Sequence, residues 1–218
     1  MEISNKNKYT NLFFYLIISF LLMPLSQYSK IISFLFPLGF FFIIISAINT
    51  LNVSKKIIKV FYILSLLSFL ADLINIYDQS YISELLAIIT AIIDGIFLIL
   101  SIVAIYQKVH LETRVNNDVI RGGICIYILL GILWFLFYKV IYFFDINAFH
   151  FPESRMMQVN GNLFYFSFVT LTTLGYGDIT PVNNFAMMFT NLEGLCGQLF
   201  PAISIATLVS LYKKETTI

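Results

Sequence analysis

Charged residues are scarce in this sequence. Asp, Glu, Lys and Arg together make up 11% of its 218 residues, and the formal net charge is +1. A chain without an excess of basic residues lacks the usual electrostatic footprint of a nucleic-acid-binding protein, so we expect no nucleic-acid partner. Apolar residues make up 59% of the chain, above the roughly half that is typical of soluble domains. Apolar runs long enough to cross a bilayer recur along it, which predicts an integral membrane protein.

Cysteine and histidine are almost missing. Cys125 and Cys196 lie inside apolar runs, and His110 and His150 lie in separate predicted loops. This spacing fits neither a disulfide framework nor a metal-ligand cluster. The sequence also has no nucleophile and base arrangement and no phosphate-binding loop. We therefore expect no enzyme activity and no small-molecule substrate.

Seven apolar segments account for most of the chain. Six are long enough to span a membrane, and one is only half that length. The full spans are predicted at about 11–28, 31–49, 57–77, 82–107, 121–144 and 184–212, and the half-length segment at about 160–172. The predicted fold class is therefore an all-α membrane protein with six transmembrane helices and one re-entrant helix.

The distribution of Lys and Arg predicts the orientation in the membrane, because cytoplasmic loops are enriched in these residues. Ten of the 13 basic residues fall on one predicted side: Lys6, Lys8, Lys55, Lys56, Lys59, Lys108, Arg114, Arg121, Lys213 and Lys214. Both termini are therefore predicted to be cytoplasmic in a multi-pass protein of the cell membrane. Segment 145–183, with the half-length helix, then enters and leaves from outside.

The chain divides into two predicted functional parts. Residues 1–107 form a four-helix membrane domain, 108–120 a cytoplasmic linker, and 121–218 a second membrane domain. The first domain lacks the regularly spaced arginines of a voltage sensor. Asp72 and Asp94 are its acidic residues within spans, and the sequence shows no evident basic partner for them. Together with Asp78 and Glu84 they either form a cation or proton site or hydrogen-bond to neighbouring polar groups such as Ser68 and Asn75, and we favour the second role. We expect the first domain either to anchor the assembly, to sense lipid or to respond to another signal.

The segment after the half-length helix holds the most informative motif. Residues 170–178 read Thr-Leu-Thr-Thr-Leu-Gly-Tyr-Gly-Asp. Non-helical backbone at membrane depth is tolerated only where it lines a water-filled path or is buried in protein. Glycine adopts positive φ freely, so Gly175 and Gly177 permit a backbone of alternating handedness with successive carbonyls directed at one axis. Four such strands would form oxygen rings that replace the water shell of K⁺.

The motif Thr173-Leu174-Gly175-Tyr176-Gly177-Asp178 resembles the signature sequence of potassium channels, and the resemblance extends over about 121–212. It looks closest to bacterial ion-channel proteins with a two-helix pore module. It implies an outer helix, a pore helix, a selectivity filter and an inner helix, assembled as a homotetramer in membrane lipid. It also implies that the carbonyls of Thr173, Leu174, Gly175 and Tyr176 hold the transported K⁺, with the Thr173 hydroxyl below them.

Five positions at or beside the filter bear on its support. The resemblance places Thr172 and Asp178 at its two ends. Tyr165 and Phe166 replace a Trp pair that is common in relatives, and Val169 replaces a Glu found in some of them. Tyr165 keeps a hydroxyl donor, so we expect it to brace Asp178 and to set how readily the filter inactivates. The alternative is that Tyr165 only packs.

The last span contains two residues that favour bending. Gly197 matches the hinge glycine of relatives, and Pro201 removes a backbone hydrogen bond one turn later. This pattern indicates a gating hinge, but Gly194 and Gly197 are equally consistent with close helix packing. Glu193 is a carboxylate within a span. It attracts cations or forms structural hydrogen bonds near the pore helix, and we favour the second role.

These patterns predict a subunit of a K⁺-selective channel that conducts passively. Three alternatives remain: a channel-like membrane sensor that does not conduct, a weakly selective cation channel, and a subunit of a K⁺ transporter. No pattern in the sequence identifies the stimulus that opens the pore.

Overall fold

The computed structural model of the protein is mainly helical. It describes residues 9–22, 37–39, 41–46, 55–77, 80–111, 116–152 and 159–216. The helices are α1 (Thr10–Leu22), α2 (Lys55–Tyr77), α3 (Tyr81–Leu111), α4 (Asn117–Phe144), α5 (Val159–Leu171) and α6 (Asn184–Thr216), and residues 37–39 and 41–46 are also helical. Two short strands, β1 (Phe149–His150) and β2 (Thr180–Pro181), pair antiparallel.

The sequence predicted most of these helices to within four residues at each end. The half-length helix expected at 160–172 is α5, and the span expected at 121–144 is α4, which begins four residues earlier. The prediction of an all-α fold missed the small β1–β2 sheet. Strands of two residues are too short to produce the alternating pattern by which a strand is recognised.

Two of the described helices are long and apolar enough to cross a membrane, namely Ile82–Val109 within α3 and Asn117–Phe144, which is α4. The other predicted spans stay predictions, and those at 11–28 and 31–49 lie partly outside the described residues. Helix α6 has 33 residues, but Asn191, Glu193 and Gln198 interrupt its apolar run.

Helix α4 lies at the centre of the described structure, in contact with α1, α3, α5 and α6. Its start is defined by Asn116, whose side chain accepts hydrogen bonds from the Asp118 and Val119 amides, each at 2.9 Å. Such an N-cap satisfies two of the backbone donors that a helix start leaves open. Apolar side chains from most of its length, including Leu129 and Tyr138, are fully buried.

Helix α1 packs directly on the second half of the chain. Near its start, the Tyr9 amide donates to Asp118 Oδ1 at 3.1 Å, and Arg121 Nη1 donates to Thr10 Oγ1 at 2.7 Å. Further along α1, the Phe20 ring lies 4.9 Å from the Phe168 ring of α5, edge to face. Helix α1, which belongs to the first predicted domain, therefore touches both α4 and α5.

The acidic residues of α2 and α3 have partners that the sequence did not reveal. Ser68 Oγ donates to Asp94 Oδ2 at 2.6 Å, which confirms the expected hydrogen bonding of this carboxylate. Lys139 of α4 lies within electrostatic range of Asp72 and Asp94. It is distant from them in sequence and comes near them only through helix packing, so the sequence gives no sign of this proximity.

Removal of the Ser68 hydroxyl should destabilise the protein. Asp94 is 2% exposed, and its Oδ1 atom has no hydrogen-bond partner among the described residues. Ser68→Ala leaves the second oxygen unpaired as well, so we expect the free energy of unfolding to fall by about 1–3 kcal/mol. Thermal or denaturant unfolding of the purified protein in detergent measures this.

Ser65→Ala is the matched control. Ser65 is equally buried on the same helix, but its hydroxyl donates only to the Tyr62 carbonyl one turn earlier. Such a bond within one helix contributes little. Equal stability of the two variants would contradict the role assigned to Ser68.

Candidate functional site: the half-length helix and the segment that follows it

Helix α5 is held between α4 and α6, and small or buried side chains set its distance from them. Asn162, Leu163 and Ser167 are buried. Gly131 of α4 lies under the Phe168 ring, where an added Cβ would come within 2.6 Å of ring carbons. The absence of a side chain at Gly131 therefore lets α5 approach α4 closely.

The backbone after α5 alternates in handedness. Positive φ occurs at Thr173 (59°), Gly175 (57°) and Gly177 (76°), with Leu174 and Tyr176 between them. The structure thus places the two predicted glycines in the left-handed region. It adds Thr173, a β-branched residue for which positive φ is a strained outlier. This third position was missed, since no sequence rule assigns such a backbone to threonine.

Backbone amides at the start of this segment turn back toward α5. The Thr173 amide donates to the Thr170 carbonyl at 2.9 Å. The Leu174 and Gly175 amides both donate to the Val169 carbonyl, at 3.0 and 3.3 Å. Because these bonds satisfy carbonyls at the end of α5, they also fix the direction in which the segment leaves the helix. Residues 172–177 are all exposed in the single chain, with Leu174 at 58% and Tyr176 at 67%.

Buried polar groups join α4, α5 and α6 in a hydrogen-bonded cluster, which is the first of two levels along α5 at which these helices touch. Ser167 Oγ lies 2.7 Å from the Gly131 carbonyl oxygen and 2.7 Å from Glu193 Oε1. The Tyr138 hydroxyl donates a short hydrogen bond to Glu193 Oε2. Glu193 and Ser167 are fully buried, so this contact is out of reach of solvent. The predicted structural role of Glu193 is therefore borne out by its two partners.

A second contact level lies one helical turn away and involves the last residue of α5. The Tyr127 hydroxyl of α4 donates to the Leu171 carbonyl at 3.1 Å. On the other side, Gly197 of α6 packs so closely that an added Cβ would overlap the same carbonyl oxygen. Gly194 has open space around it. The packing alternative therefore holds for Gly197 and not for Gly194 in this chain.

The end of the segment farthest from α5 is tied to the end of α4. Asn183 Nδ2 donates to Asp145 Oδ2 at 2.7 Å, and Asn183 Oδ1 caps α6 by accepting from the Ala186 amide at 2.7 Å. The Val182 amide donates to the Ala148 carbonyl at 2.8 Å, next to the β1–β2 sheet. Residues 172–179 are thus anchored at both ends. The sequence analysis missed Asp145 and Asn183, although Asn just before a helix is a recognisable cap.

The remaining predicted site residues occupy the expected elements. Thr172 follows α5 and donates from Oγ1 to the Phe168 carbonyl at 2.6 Å. Tyr165 lies on α5 and Asp178 at the far end of the segment, and both are half-buried. The brace between them stays a prediction. Helix α6 continues through Gly197 and Pro201, and the role of these two residues as a hinge also stays a prediction.

Gly197→Ala should destabilise the chain, because the new methyl group meets the Leu171 carbonyl. Overpacking of this kind costs about 1–3 kcal/mol in free energy of unfolding. Gly194→Ala is the control on the same helix; with open space and better helix propensity, it should be neutral or stabilising by up to about 1 kcal/mol. Unfolding midpoints of the two purified variants give the comparison. A Gly197→Ala protein as stable as the Gly194→Ala protein would argue against the close packing.

The geometry agrees with the comparisons to known proteins. Residues 129–214 match the family model described as ion channel. Over 99 residues the chain is 28% identical to the potassium voltage-gated channel subfamily A member 10 of mouse and to that of human. The aligned region covers 44% of this chain and 18% of each relative. No solved structure matches the chain significantly. Residues 129–214 therefore resemble an ion-channel domain, and part of the chain is distantly similar to a potassium channel.

Proposed function

We propose that the protein is one subunit of a potassium-selective channel that conducts K⁺ passively across the cell membrane. The observation that carries the proposal is the backbone of residues 172–177, in which positive φ recurs at every second residue after a half-length helix. An alternating backbone directs successive carbonyl oxygens to the same side. The carbonyls of Thr173, Leu174, Gly175 and Tyr176 are then the ion-facing groups, and K⁺ is the transported substrate.

Four copies of the chain complete the proposed site. One chain supplies one filter strand, whereas dehydrated K⁺ needs oxygens on all sides. Exposure in the single chain supports this assembly, because residues 172–177 and one face of α6, including Leu192, Leu195 and Leu199, are left open. A continuous apolar face beside an exposed filter segment fits a contact with further copies of the same chain.

Helix α5 contributes electrostatically to the same function. Its C-terminal end, at Leu171, lies next to the start of the filter segment. The helix dipole makes this end partially negative, which favours a cation on the adjacent axis. Four such helices would converge in the tetramer.

The membrane arrangement that fits this function has six spans, with both termini cytoplasmic and the filter entered from outside. Large apolar side chains exposed on α2 and α3, such as Ile63, Leu67 and Ile96, support a lipid-facing surface. Between Glu84 and Lys108 of α3, the one charged residue is the acidic Asp94, whereas a voltage sensor carries several positive charges within a span. We therefore propose a channel without strong voltage dependence and with lipid as the neighbour of residues 1–107.

Flux through liposomes tests the proposed function. The purified protein should pass K⁺ at least about 100-fold faster than Na⁺, a difference of about 2.7 kcal/mol in favour of K⁺. Gly175→Ala should abolish this preference, since a side chain resists the positive φ at this position. Gly123→Ala is the control, because this helical glycine also has open space around it but no positive φ. Equal K⁺ and Na⁺ flux in the unmodified protein, or no flux of either, would refute the proposal.

A further inference from the structure

The buried carboxylate of Glu193 bonds to side chains of two other helices. Among the described residues, no other buried carboxylate does so. Tyr138 reaches it from α4 and Ser167 from α5, while Glu193 itself belongs to α6. The carboxylate is 0% exposed. An ionised carboxylate buried at this depth carries a desolvation penalty of several kcal/mol unless a cation pairs with it.

No cation pairs with Glu193 in the part of the chain that the structure describes. Besides Tyr138, the titratable groups that interact with it electrostatically are Tyr127 of α4 and Cys196 of α6. A tyrosine and a cysteine carry no positive charge in any protonation state. The environment therefore favours the neutral form of the carboxyl group on physical grounds.

The number of hydrogen-bond donors around Ser167 also indicates that Glu193 is neutral, independently of the argument from burial. Ser167 Oγ lies 2.7 Å from the Gly131 carbonyl oxygen and 2.7 Å from Glu193 Oε1. A carbonyl only accepts, an ionised carboxylate only accepts, and a serine hydroxyl has one proton to donate. If Glu193 were ionised, the single Ser167 proton could serve only one of these two contacts fully. The other contact would then join two acceptor oxygens without a proton between them. If both contacts shared the proton, both distances would be longer than 2.7 Å.

A proton on Glu193 resolves both short contacts. Tyr138 then donates to Glu193 Oε2, Glu193 Oε1 donates to Ser167 Oγ, and Ser167 donates to the Gly131 carbonyl oxygen. Each contact in this chain from α4 through α6 and α5 back to α4 has one donor and one acceptor. Assignment of hydrogens from the donor and acceptor pattern is the usual way to infer protonation from heavy atoms.

We propose that Glu193 is a protonated carboxylic acid that positions α5, and thereby the filter segment, against α4 and α6. The inference deepens the proposed channel function and rests on it for the consequence at the filter. Ser167 is one turn before Leu171, and Glu193 is one turn before Gly197, so this hydrogen-bonded contact and the Leu171–Gly197 contact hold α5 on α6 at two levels. Loss of the first contact removes one support of the end of α5, whose Val169 carbonyl accepts hydrogen bonds from two amides of the filter segment.

Infrared spectroscopy of the purified protein in lipid tests the protonation without requiring conduction. The difference spectrum between the unmodified protein and Glu193→Gln, at neutral pH, should contain the C=O stretch of a protonated carboxylic acid. A difference spectrum with carboxylate bands instead would overturn the proposal. Asp94→Asn, which removes another buried acid, distinguishes the Glu193 band from that of Asp94. This result is independent of whether the protein conducts K⁺.

Flux measurements test the positioning role. Glutamine keeps one acceptor for Tyr138 and one donor for Ser167, so Glu193→Gln should retain K⁺ flux and K⁺ preference within about twofold. Glu193→Ala leaves both partners unpaired and should lower K⁺ flux by at least about tenfold, because two buried hydrogen bonds are lost. A charge that attracts K⁺ would give the opposite pattern, with Glu193→Gln as impaired as Glu193→Ala, and this would overturn the positioning role.

The pH dependence of K⁺ flux provides a further test. If Glu193 only filled space, its ionisation would have no effect on this dependence. Ionisation of Glu193 removes the proton between Oε1 and Ser167, so K⁺ flux should fall reversibly at alkaline pH. Glu193→Gln should lose this dependence while Tyr138, Tyr127 and Cys196 remain to titrate. If Glu193→Gln shows the same alkaline decline as the unmodified protein, the dependence belongs to those residues and the proposal fails.

Discussion

The hydrogen bonds from the Leu174 and Gly175 amides to the Val169 carbonyl are the interaction on which the candidate site depends. They lie at the junction where a helix ends and an extended backbone begins. Buried polar backbone groups need hydrogen-bond partners, and these amides satisfy the Val169 carbonyl at the end of α5. Because these amides point toward α5, the backbone that alternates in handedness at Thr173, Gly175 and Gly177 can direct its carbonyl oxygens away from α5.

The surrounding helices hold that junction in place. Gly131 and Gly197 let α4 and α6 approach α5, and in each case an added side chain would collide with α5 or its end. Buried polar contacts from Glu193 and Tyr127 add direction to this packing, since hydrogen bonds require a defined geometry that apolar contacts do not. The first half of the chain also contributes, because Phe20 of α1 packs on the Phe168 ring.

Sequence patterns predicted the elements of the site better than the contacts between them. The half-length helix and the two glycines follow from hydrophobic length and from the freedom of glycine at positive φ, both of which are local properties. Other features depend on how the helices pack: the strained backbone at Thr173, the proximity of Lys139 to Asp72 and Asp94, and the hydrogen bond from Tyr138 to Glu193. Tyr138 and Glu193 are 55 residues apart, and no periodicity joins them.

The central claim is that four copies of residues 172–177 form a pathway for dehydrated K⁺. The most direct measurement is an experimental structure of the purified protein in lipid with K⁺ present. The account predicts four chains around one axis, with ion density between successive carbonyl rings from Thr173 to Tyr176, and weaker or altered density when Na⁺ replaces K⁺. A filter segment that does not face a symmetry axis, or an assembly with no ion on that axis in K⁺, would contradict it.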